Sequence, residues 1–103
     1  MNIINELNFS ADKPAVLIVQ KNKNNLVISV GLLKDQVLSK HKTVYPALLI
    51  VMSGSVAFKM NGKETILRTM DTFNIPVDIE HEVVGMNETS IFLIIKTIQT
   101  EKL

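Results

Sequence analysis

The chain has 103 residues, of which 47% are apolar and 20% charged, a length and mix suited to one globular core. Eleven Lys and Arg against ten Asp and Glu leave a net charge of +1, which excludes both the basic field of a non-specific nucleic-acid binder and an acidic, solvated composition. Cysteine is absent, which excludes disulfides, thiolate metal sites, Fe–S clusters and cysteine nucleophiles.

In chain order, the first eight residues carry no basic stretch and no apolar run of signal-peptide length. The longest apolar runs, 46–52 and 91–95, fall far short of the roughly 20 residues that span a bilayer. A cytoplasmic protein without membrane contact is expected. Ile3, Ile4 and Leu7 fit a short helix or an extended arm, and residues 1–14 are expected to stand apart from a barrel domain over 15–103. From residue 15 onward the apolar positions recur with period two or in short solid runs rich in Val, Ile and Thr, the mark of strands. Strands are expected over 15–20, 26–33, 47–53, 55–60, 63–68, 71–75, 79–84 and 90–97. The polar stretch 21–25 between the first two reads as a solvated, Asn-rich turn; its two lysines make no phosphate-binding field. Many short strands without a long helix indicate an all-β sandwich or barrel.

One hairpin is fixed in register by the sequence. Asn61-Gly62 supplies the two positive-φ positions of a type I′ turn, so 60 faces 63, 59 faces 64, 58 faces 65 and 56 faces 67. Val56, Phe58, Met60, Thr65 and Leu67 then point inward. Ser55, Ala57, Ile66 and Arg68 point outward beside a Lys59–Glu64 pair. Ser53-Gly54-Ser55 lacks the G-x-S-x-G spacing of a nucleophile elbow and lies between two strands, so it reads as a tight turn.

Two histidines, His41 and His81, lie in or beside predicted strands. The run from His41 through Thr43 and Ala47 to Gly54, with the later run Met70-Asp71 to Pro76, Asp78 and His81, resembles the two motifs of the cupin family. The first motif reads roughly G-x5-H-x-H-x3–4-E-x6-G. His41 falls on its first histidine, Thr43 on the second, Ala47 on the glutamate and Gly54 on the closing glycine. The second reads roughly G-x5-P-x-G-x2-H-x3-N. Met70 falls on its opening glycine, Pro76 on the proline, Asp78 on the second glycine, His81 on the histidine and Gly85 on the asparagine. The resemblance covers about residues 26–97 and implies a double-stranded β-helix, a jelly-roll barrel like that of the small cupins with a degenerate metal site.

Metal-dependent cupins hold Fe, Mn, Ni or Zn with three histidines and a glutamate, and Thr43 and Ala47 remove two of those four donors. Glu80 and Glu82 flank His81 on its strand, so if the imidazole points inward both carboxylates point to the surface. The interior would then gather His41, Thr43 and His81 among Leu49, Val51, Phe58, Met60 and Val83. Three readings of that interior are open: a packed core with two hydrogen-bonded histidines, a pocket for a small organic ligand, and an incomplete metal site at His41 and His81. The reading carried forward is a small binding module, non-catalytic or weakly catalytic, whose barrel takes a small apolar ligand or has a structural and regulatory role, with the cofactor left open between none and a divalent Zn, Fe, Mn or Ni ion. Its alternative is a metal-dependent enzyme of the dioxygenase or isomerase type. A homodimer is expected, because Ile66, Val84 and one face of the run 91–95 stay apolar and outward, and the apolar N-terminal arm can cap its own barrel or cross to a partner. The resemblance implies a dimer too.

Overall fold

A computed structural model describes residues 1–98, with the side chain of His41 left aside. The N-terminal segment forms one helical turn, α1 (Ile3–Glu6), begun by the Asn2 side chain, which accepts from the Asn5 N–H at 3.1 Å. Nine strands follow: β1 (Ala15–Lys21), β2 (Asn25–Leu33), β3 (Val37–His41), β4 (Ala47–Ser53), β5 (Ser55–Met60), β6 (Lys63–Arg68), β7 (Thr72–Ile75), β8 (His81–Gly85) and β9 (Thr89–Thr97). Eight of them match the strands expected from the sequence.

The strands form a five-stranded sheet in the order β1-β2-β9-β4-β7 and a four-stranded sheet in the order β3-β8-β5-β6. Every pairing within them is antiparallel. Their inner faces close on one core in which Val30, Leu49, Val51, Phe58, Val83 and Phe92 are buried. This is the double-stranded β-helix implied by the motifs.

The β5–β6 hairpin has the expected register, with Lys59 opposite Glu64 and Met60 opposite Lys63. Asn61 and Gly62 have φ of 53° and 73°, the two left-handed positions that a type I′ turn requires. Ala57, on the outward side, is nevertheless buried, its small side chain closed in between the neighbouring Ile66 and Val84. The N-terminal arm caps its own barrel. Leu7 packs with Ala15 and Ile91, and the Phe9 ring lies so close over Gly31 that a Cβ there would stand 2.8 Å from it.

Candidate functional site

The expected interior residues divide between the core and the mouth of the barrel. Leu49, Val51, Phe58 and Val83 point inward from β4, β5 and β8 and pack against one another, so they fill the barrel. Thr43 is buried, and its hydroxyl is engaged locally: Oγ1 donates to the Tyr45 carbonyl at 3.0 Å and accepts from the Tyr45 N–H at 3.3 Å. Ala47, at the motif's glutamate position, is buried and offers no donor atom. The His41 side chain lies outside the described atoms; its backbone stands opposite His81 across the β3–β8 pair.

His81 opens β8 and is 3% exposed. Its ring stacks on Phe58 at a centroid distance of 5.3 Å and an interplanar angle of 21°, while Phe58 leans on Phe73 at 4.4 Å. The Nδ1 atom lies 3.1 Å from the Ile79 carbonyl oxygen. A carbonyl can only accept, so Nδ1 carries the hydrogen of this contact. The Phe58 ring and the Ile79 carbonyl both hold the tilt of this imidazole.

Beside His81 and Met60 opens a cleft of about 400 Å³, bordered by Lys40, Lys59, Asn61, Gly62, Glu80 and Glu82. Its walls come from β3, the β5–β6 turn and the entry to β8, at the end of the barrel marked by the Asn61-Gly62 turn. Lys59 lies opposite Glu82 on one side and Glu64 on the other, and its Nζ stands 4.0 Å from Glu64 Oε1. The rim therefore carries two ammonium and two carboxylate groups around a floor of imidazole and thioether. Of the interior residues expected from sequence, His81 and Met60 line this cleft among the described side chains. Lys40, Lys59, Glu80 and Glu82 were legible only as surface charges, because their convergence depends on the β3–β8–β5 register.

Does the donor set suit the metal that the fold family implies? Two imidazole positions, a hydroxyl already bonded to its own turn, and an alanine do not make the three or more protein ligands that such a centre takes. Among the described residues no group of three or more His, Cys, Asp or Glu side chains converges. The described residues do not fit such a metal.

No family model matches the sequence, and no curated protein does. Solved structures do resemble the fold. An uncharacterised conserved protein with a double-stranded β-helix domain from Klebsiella pneumoniae superimposes with a TM-score of 0.86 at 18% identity, covering 94% of this chain and 87% of that one. A conserved protein of unknown function from Streptococcus pyogenes gives 0.83 at 14% identity, over 98% and 88%. An RmlC-like cupin from Shewanella frigidimarina gives 0.78 at 16% identity, over 93% and 86%. Strand order, motif spacing and these superpositions agree: the chain has the double-stranded β-helix fold of the small cupins.

Proposed function

We propose that the protein is a cytoplasmic, non-catalytic binding module that takes a small organic molecule at the mouth of its barrel, over His81 and Met60. The observation that carries this reading is the division between a filled interior and the 400 Å³ cleft at its end. Leu49, Val51, Phe58 and Val83 are packed into the core, whereas the cleft sets His81 and Met60 beside two lysines and two glutamates. Such a rim suits a small polar molecule that carries both a carboxylate and an ammonium group, with an apolar part over the Met60 thioether. The His81 ring, held by Phe58 and the Ile79 carbonyl, forms part of the cleft wall.

Titrating the ¹⁵N-labelled protein with small amino-acid-like zwitterions tests this. Amide shifts are expected at Lys59–Gly62 and Glu80–Glu82, and are expected to weaken in His81→Ala. Shifts confined to other parts of the barrel contradict the reading.

A further inference from the structure

The four-stranded sheet is one strand narrower than the sheet it packs on, and β1, at the edge of the wider sheet, shows the consequence. Val16 lies opposite Val30 and Ile18 opposite Ile28, so both continue the inner apolar face that forms the core. Yet each is 56% exposed, more than any other large apolar side chain in the described strands. The backbone at this edge is open too. β1 pairs with β2 alone, and among the described residues no loop or turn bonds to the backbone of 15–21. Alternate residues therefore hold N–H and C=O groups out to solvent, a row on which an extended chain adds as a further strand. The other edges are blunted: β6 carries Lys63, Glu64 and Arg68, β7 is four residues long, and β3 is five long and breaks register.

The charges say what kind of chain fits. Residues 13–34, which hold the whole β1–β2 hairpin, contain Lys13, Lys21, Lys23 and Lys34 and no Asp or Glu. The β1–β2 register shifts by one residue after Ile18, which sets Lys21 opposite Leu26 and so on the same side of the sheet as Val16 and Ile18. An added strand thus meets two apolar side chains followed by a cation. A second copy of the chain suits this row poorly. Antiparallel pairing of Val16 with Ile18 across a two-fold axis carries Lys21 to the Lys13-Pro14 end of the other chain, where cation approaches cation and the proline offers no N–H.

We infer that β1 is a docking strand for a different protein, which contributes an extended segment with β-branched residues at alternate positions and carboxylates at its ends. The segment widens the five-stranded sheet by one strand, covers Val16 and Ile18, and sets its carboxylates beside Lys13, Lys21 and Lys23. The cleft at His81 is built from the other sheet and takes no part.

The peptide Glu-Thr-Val-Thr-Ile-Thr-Glu, acetylated and amidated, matches the seven residues of β1 and tests this by titration into the ¹⁵N-labelled full chain. Amide shifts are expected along Ala15–Lys21, with hydrogen exchange slowed at alternate residues of the strand. The same peptide with lysine in place of both glutamates is expected to bind about tenfold more weakly at low salt. Lys21→Glu combined with Lys23→Glu, both at exposed positions, is expected to reverse that order, and Ile18→Lys to abolish the protection that the peptide gives. Should Ile18→Lys fail to fold, the charge reversal still decides. No shift in β1 at millimolar acidic peptide, equal binding of the two peptides, a preference that charge reversal leaves in place, or shifts confined to another edge overturns the inference. Exchange along β1 that slows with protein concentration in the absence of peptide identifies a second copy as the occupant and overturns it too.

Discussion

Met70 and Asp78 occupy positions where the cupin motif carries glycine, and the backbone there has φ of 74° and 58°. Both residues therefore adopt the left-handed turn geometry that glycine adopts without strain. At Met70 it is held by hydrogen bonds: its N–H donates to the Val51 carbonyl at 2.7 Å, and the Asp71 carboxylate accepts from the Arg68 N–H at 2.7 Å. A left-handed L-residue costs about 1–2 kcal/mol, from which glycine's greater freedom in the unfolded chain takes back about half. Met70→Gly is therefore expected to stabilise the protein by about 0.5–1 kcal/mol, since the Met70 side chain is 71% exposed and loses little packing. Asp78→Gly should gain less, because aspartate tolerates this region better. Denaturant unfolding of the two variants checks the order. A destabilised Met70→Gly would mean that the side chain contributes packing that outweighs the strain. Gly54, a glycine at its motif position, is required twice over: its φ is 77°, and a Cβ would also lie 2.7 Å from Ser90 Oγ. These positions were legible as motif letters, but their conformation was not, because methionine carries no left-handed signal of its own and aspartate only a weak one.

Among the elements, the β5–β6 hairpin was the most legible, since turn chemistry, charge pairing and apolar sidedness all specify one register. The turn contributes more than the ion pair: Lys59 and Glu64 are about half exposed and 4.0 Å apart, a geometry worth at most a few tenths of a kcal/mol. Gly62 has φ of 73° with open space around its Cβ position, so only backbone strain opposes substitution there. Gly62→Val is expected to cost about 1–2 kcal/mol, seen as a lower melting temperature. An unchanged melting temperature would show that the turn relaxes into another type. Strand β3 was the element the sequence hid. It is an edge strand of five residues in which Leu38 packs on the core, Val37 stays exposed and Lys40 faces water, so neither alternation nor a solid apolar run announces it. Its pairing with β8 also breaks register between Leu38 and His41, which removes the period-two signal altogether.

For the whole molecule, the period-two pattern carried the fold because a one-residue slip would turn every inward side chain outward. The core positions of Leu49, Val51, Phe58 and Val83 follow from that sidedness directly. The cleft did not follow, because Lys40, Lys59, Glu80 and Glu82 come from segments distant in sequence and meet only through sheet register. The barrel thus keeps the cupin frame and one fixed imidazole, while Thr43 and Ala47 leave the ligand set short of what a divalent ion needs. Metal analysis of protein purified without a histidine tag shows whether this barrel works without a metal. Transition-metal content is expected to be far below one ion per chain, and unchanged in His41→Ala and His81→Ala. One ion per chain in the unaltered protein, lost in both variants, would contradict it.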